Sequence, residues 1–158
     1  MLDGCDNLLG MIADENIQVS DALARFYRAE KLGQDAFINP VNYAQLGPLK
    51  LPFPNLSARR SLVYLHDINH LMTGYDTSWI GEGEVAVWEL ASGFPKHCWV
   101  GYLYAPFALL PGLLLNPARV FRAFKKGRRE KNSCHFESGK EQILRMKLNE
   151  LKRSLGVD

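Results

Sequence analysis

Cysteine is scarce. Cys5, Cys98 and Cys134 are the only three in 158 residues, and no CxxC pair occurs. An odd count without paired spacing excludes a disulfide scaffold and fits a reducing compartment. His97-Cys98 and Cys134-His135 place ligand types side by side, a poor spacing for gripping one ion, so no second metal site is read there. The N-terminus has no secretory signal pattern. Asp3, Asp6, Asp14 and Glu15 are the wrong charges for a mitochondrial transit segment. Period-two alternation, Asn-Gly hairpin signals and internal repeats are also missing, which argues against a sheet-based fold. Neither a nucleophile motif nor a flavin motif is present.

What is there is ordinary in bulk and uneven in detail. The composition, 47% hydrophobic and 23% charged, is that of a globular protein, and residues 1–158 read as one domain with a core to bury. Net charge is only +2, but residues 117–158 carry twelve basic and five acidic side chains. Such a basic third suits an anionic surface or a phosphate-bearing ligand. The commoner cause of a charge run is a solvated helix face. The stretch contains no nucleic-acid reading motif, so no nucleic-acid partner is expected.

The pattern predicts an all-α fold: a compact helical domain with a Pro-rich N-terminal loop. A weak helix is expected over residues 5–14. Ser20 would cap a helix over Asp21–Leu32 with Ala22, Leu23, Phe26, Tyr27 and Ala29 as its stripe, ended by Gly33. Residues 34–56 hold Pro40, Pro48, Pro52 and Pro54 and read as a loop, a lid over a cleft rather than a strand ladder. Ser57 would open a helix running to about Thr73 and closed by Gly74. Thr77 or Ser78 would cap the next, ended by Gly93. Cys98–Leu115 has no charged residue over 18 positions. Three readings compete there: a buried core helix, an apolar wall for a lipid tail, and a membrane span, which Pro106 and Pro111 disfavour. Asn116-Pro117 opens a basic amphipathic helix to about Lys131, suited to an anionic membrane surface. A polar loop over 132–139 and one or two short helices over 140–155 complete the chain.

The chemistry concentrates in His66-Asp67-Ile68-Asn69-His70 and Gly81-Glu82. On a helix, His66 and His70 stand one turn apart on one face, where two imidazoles can share a divalent cation. Asp67 can lean toward the same end. Eleven residues separate His70 from Glu82, enough for a turn and a second helix that returns a carboxylate to the histidines. On that helix Glu82, Ala86 and Glu89 share a face, and Glu84 points nearly opposite, toward solvent. Glu82 is the expected ligand, with Glu89 as the alternative or as the group holding an imidazole N–H. Two His with carboxylates suit Zn, Fe, Mn or Co better than Ca or Mg. An isolated HxxxH is also often structural. Asp in place of Glu makes a zincin reading poor, and the absence of any His before His66 makes an HD-type phosphohydrolase a poor fit.

The wider stretch Leu65-His66-Asp67-Ile68-Asn69-His70-Leu71-Met72-Thr73-Gly74-Tyr75 resembles the signature of the fourth coenzyme Q biosynthesis protein family: HDxxH, a T-G-[YF] turn, then a glutamate at this distance. Gly81-Glu82 followed by Glu89-Leu90-Ala91 is similar to the family's next helix. Lys126-Gly127-Arg128-Arg129 with Leu148–Gly156 is similar to its closing motifs. The likeness spans roughly Arg59 to the C-terminus and is loose over 1–56. Asn69 departs from it, standing where the family commonly carries an aromatic. The resemblance implies that His66, Asp67, His70 and Glu82 hold a divalent metal, zinc first, with Fe, Co or Mn as alternatives, and form the catalytic set. It implies oxidative decarboxylation of a polyprenylated benzoate-type intermediate in ubiquinone synthesis, or organisation of the biosynthetic enzymes. The partners it implies are the polyprenylated quinone precursor in an apolar lipid pocket, the membrane surface, other quinone-biosynthesis proteins and a second copy in a homodimer. The expected location is the cytoplasm or an organelle interior, peripheral to a membrane. A prenyl-lipid-binding scaffold with a structural metal is the alternative.

Overall fold

Most of the described residues are helical in the computed structural model, which describes 16–30, 41–46, 49–54, 57–136 and 139–158. Helix α1 (Val19–Ala29) buries Ala22, Leu23 and Phe26 of the expected stripe and adds Val19, while Tyr27 and Ala29 are half-buried. It starts one residue before the expected cap. Gln18 precedes it with no side-chain cap bond. The start is held instead by a bridge to the C-terminal region, where Val19 N–H donates to Met146 O and Leu148 N–H to Ile17 O, both at 2.9 Å. Backbone bonds to a distant segment thus do the work a capping hydroxyl would do. The expected helix over 5–14 and the stop at Gly33 lie outside the described residues.

The loop expected over 34–56 is corrected in part. Strands β1 (Val41–Leu46) and β2 (Leu49–Pro54) pair antiparallel, with Val41 opposite Pro54 and Leu46 opposite Leu49. Proline disfavours a strand because it cannot donate to the ladder. Pro52 and Pro54 stand two residues apart, so both nitrogens can face away from β1. A two-stranded ribbon is all edge, which is where proline is tolerated.

Helix α2 (Ser57–Thr73) and helix α3 (Trp79–Ser92) keep their expected bounds. Gly74 and Gly93 sit at φ 74° and 79°, where a side chain would be strained. The Ser78 hydroxyl caps α3 by accepting from Gly81 N–H at 3.2 Å. A 3-10 turn (Lys96–Cys98) leads to α4 (Gly101–Leu115), and Asn116 caps α5 (Pro117–Gly127) through Arg119 N–H at 3.1 Å. A second 3-10 turn (Ser133–His135) interrupts the polar loop. Short helices α6 (Lys140–Arg145) and α7 (Leu148–Leu155) follow.

Helix α3 is the hub. Gly83 meets Gly112 of α4 so closely that a Cβ on either would lie within 2.7 Å of the other's Cα. Trp88 is fully buried, and its indole N–H donates to Glu130 at 2.6 Å. Two expectations fail around this hub. Glu84 is buried rather than solvated, because Arg119 of α5 reaches it through Nε at 2.9 Å and a second nitrogen at 2.5 Å. A buried carboxylate needs such a partner. The uncharged run is not a buried core helix either. Of α4 only Ala105 and Gly112 are buried, and Leu103, Phe107, Leu110 and Leu114 point outward, Leu114 78% exposed. Among the described residues no helix is long and apolar enough to cross a membrane.

Candidate metal centre

Helical spacing brings the two imidazoles together and the α2–α3 turn returns the acid. His70 Nε2 lies 3.2 Å from His66 Nε2 and 3.3 Å from Glu82 Oε1, and His66 Nε2 lies 3.2 Å from Glu82 Oε2. Among the described residues, these three form the group able to hold a cation, with ligand atoms all within 4.8 Å of one another. Ligands at about 2.0–2.1 Å from a tetrahedral ion sit about 3.3 Å apart; the two imidazole nitrogens stand at that spacing, and each meets a different oxygen of the Glu82 carboxylate at it.

The outer nitrogens settle which atoms face inward. His70 Nδ1 lies 2.8 Å from Tyr75 O. A carbonyl only accepts, so Nδ1 carries the proton. His66 Nδ1 lies 2.9 Å from the Glu89 carboxylate, which fixes the same tautomer. In their neutral forms both rings therefore turn bare Nε2 lone pairs toward one another and toward a carboxylate. Three electron-rich atoms converge with no donor among them. Such a cluster is repulsive unless a proton or a metal cation occupies its centre.

The electrostatics agree. Burial pushes the His66 imidazole down, but the Glu89 carboxylate and bonds to Glu82 and Glu89 outweigh it and hold it well above 6.5. His70 is likewise lowered by burial and raised, on balance, by Glu82. Burial raises the Glu82 carboxyl, yet His70 and His66 prevail and keep it well below the usual carboxylate range. Phe26 stacks against His70 with centroids 5.9 Å apart and closes that side. His70 is 1% exposed, whereas His66 and Glu82 are 32% and 28% exposed. The open edge of the group is thus at His66 and Glu82.

Asp67 is placed differently from the expected ligand set. It stands outside the group of three, and its carboxylate accepts the Tyr27 hydroxyl at 2.9 Å. Burial raises its pKa against the opposing pull of His66 and His70. Glu89 is the group that holds the His66 N–H, and Asn69 donates to the same Glu89 oxygen at 2.7 Å. The sequence marks Asn69 only as a departure from the resemblance and assigns it no role, although a polar residue on the inward side of an apolar helix face signals a buried hydrogen-bond partner. At the far end of α3, a cavity of about 490 Å³ is lined by Gly93, Phe94, Pro95, His97, Tyr102, Cys134 and His135. No protein-family model, curated protein or solved structure matches the chain.

Proposed function

We propose that the chain is a metal-dependent enzyme of prenylated-quinone synthesis. In this reading it removes the ring carboxylate from a polyprenylated benzoate-type ubiquinone precursor by oxidative decarboxylation. The carrying observation is the convergence of His66 Nε2, His70 Nε2 and the Glu82 carboxylate, each imidazole within 3.3 Å of one of its oxygens. Those residues would hold the metal. Zinc suits the donor set, as do iron, cobalt and manganese. A bound divalent cation there supplies a Lewis-acid grip on a carboxylate. Glu82 is ionised throughout the neutral range and adds negative charge to the ligand set. Glu89 orients His66, and the Tyr75 carbonyl orients His70. Phe26 keeps water from the His70 side, and the partly exposed edge at His66 and Glu82 admits the substrate. Replacing carboxylate by hydroxyl removes two electrons, which leave to an oxidant from outside the chain, dioxygen in this reading.

The outer surface supports an amphiphilic substrate taken at a membrane. Leu103, Phe107, Leu110 and Leu114 form an exposed stripe at helical spacing on α4. Arg122, Lys125, Arg128 and Arg129 are exposed on and just beyond α5. Apolar side chains beside cations suit an anionic lipid surface. The chain would work peripherally, on the cytoplasmic or organelle-interior face, beside other quinone-biosynthesis proteins and as a homodimer.

The same exposed stripe favours a second reading: a prenyl-lipid-binding scaffold in which the metal is structural. Expression of the His66→Ala and His70→Ala variants in a quinone-deficient strain separates the two. The enzyme reading expects folded variants that fail to restore quinone and fail to turn over a prenylated hydroxybenzoate. Folded variants that restore quinone would overturn it and leave the scaffold.

A further inference from the structure

Beyond the three ligands, a buried polar chain runs from the metal centre to the C-terminal third. The Asn69 amide donates to Glu89 Oε1 at 2.7 Å, and the same oxygen takes the His66 Nδ1–H at 2.9 Å. The Asn69 carbonyl oxygen accepts Ser133 N–H at 3.0 Å, and the Ser133 hydroxyl donates to Leu65 O at 2.9 Å. Beside it, the Asn132 amide donates to Gly93 O at 2.8 Å and to Glu89 O at 3.3 Å. Asn69, Glu89, Asn132 and Ser133 are all buried. Asn69 is thus used on both sides, donor to the acid and acceptor from the turn, and its orientation is fixed by that pair of unlike partners.

The geometry points to Asn69 as a positioning residue: clamped by the Ser133 turn, it holds the Glu89 carboxylate in the place from which Glu89 aims the His66 ring at the centre. The role of this chain for metal binding rests on the proposed metal centre, whereas the aiming of the ring does not. A ligating imidazole whose outer N–H is held has a fixed tautomer and a raised basicity, and loss of such a partner costs about tenfold to a hundredfold in metal affinity. Among the described residues, Glu89 loses one of two side-chain donors when Asn69 is shortened. Its carboxylate is then free to turn, and His66 with it.

The test uses the full-length protein and two readouts. In metal-free protein, the downfield proton resonance of the His66 Nδ1–H is followed by nitrogen-edited NMR in wild type, Asn69→Ala and Asn69→Ser. Cobalt(II) affinity and its visible absorption spectrum are then measured on the same samples. Asn69→Ser keeps a shorter donor and serves should the alanine variant unfold. We expect the resonance to broaden or shift upfield in a folded Asn69 variant, with cobalt affinity down about tenfold, the lower end of what loss of a ligand's direct partner costs, and an altered spectrum. A resonance and a cobalt affinity both unchanged in a folded variant would overturn the positioning role. A resonance that responds to Asn69 in a protein that binds no cobalt would uphold the positioning role and sink the metal centre instead.

Discussion

The two sides of α3 invert the usual rule of protein interiors. Toward α2, the buried surface is polar: Glu89, Asn69, Asp67 and His70 are all nearly inaccessible, and each has a hydrogen-bond partner. Beyond α4, the exposed surface is apolar. That helix turns Ala105 and Gly112 inward and keeps Phe107, Leu110 and Leu114 outside. Ordinary folding would do the opposite on both sides, because burying polar groups and exposing large apolar ones each cost stability. One helix thus carries a site on one face and supports an apolar surface on the other. Gly83 lets α4 come close and neighbouring Glu82 faces α2, so the two specialisations are one residue apart.

The comparison breaks most sharply at the ligands. His70→Ala or Glu82→Gln should lower zinc or cobalt affinity by more than about a hundredfold, beyond what outer partners carry. Chelator competition measures it. Affinity retained in folded variants would show that the inward polar side exists for packing alone. Next in size is the outward side. Leu114→Ser and Phe107→Ser should leave melting nearly unchanged, within about 0.5 kcal/mol, because both side chains are exposed. Each should weaken binding to anionic vesicles by about tenfold or more, since burying such a side chain is worth about 1.5–3 kcal/mol. Vesicle sedimentation that ignores both substitutions would mean that α4 meets no bilayer.

A pH titration sharpens the contrast further. The metal-free imidazoles have pKa values above 6.5 because Glu82 and Glu89 hold their protonated forms. That contribution to stability is fully present below pH 6.5 and is lost as pH rises through the raised values. Metal binding has the opposite sign, because it requires neutral imidazoles. Zinc should therefore raise the melting temperature little in mild acid and more as pH rises. Affinity should gain about tenfold per pH unit for each proton displaced. Calorimetric melting with and without zinc from pH 5.5 to 8 checks it. A zinc shift that shrinks with rising pH would place the ion away from these histidines.

How much of this was legible in the sequence follows the range of the interactions. The HDINH spacing, the Ser78 cap and the stops at Gly74 and Gly93 are local, and the structure keeps them. Glu82 was legible because a turn and one helix phase decide where it points. Glu84 was not: its partner Arg119 lies 35 residues away, and no helical wheel contains that pairing. Asn69 and Ser133, 64 residues apart, were hidden for the same reason. The Cys98–Leu115 run left three readings open because hydropathy measures composition. Which side of α4 is covered depends on the small residues Gly83 and Gly112, and their meeting is tertiary.

The smallest effect tests whether charge accompanies the apolar face. On and beside α5 the cations divide. Arg119 is engaged by Glu84, and Lys126 lies 3.7 Å from Glu130, so both are tied to the protein. Arg122, Lys125, Arg128 and Arg129 are exposed, and Lys125 lies over the Phe121 ring at 4.7 Å. On the proposed membrane reading, the exposed set is the one that meets lipid phosphate. Arg122→Gln and Arg128→Gln should each weaken binding to anionic vesicles by about fivefold, as expected for about 1 kcal/mol per cation near such a surface. High salt should abolish the difference within a shortened Debye length. Arg119→Gln is the contrasting case. It should strip Glu84 of its partner and lower the melting temperature, because a buried carboxylate left alone costs several kcal/mol. Equal effects of Arg119 and Arg122 on vesicle binding, with no difference in melting, would erase the distinction between cations that hold α5 to α3 and cations that face outward.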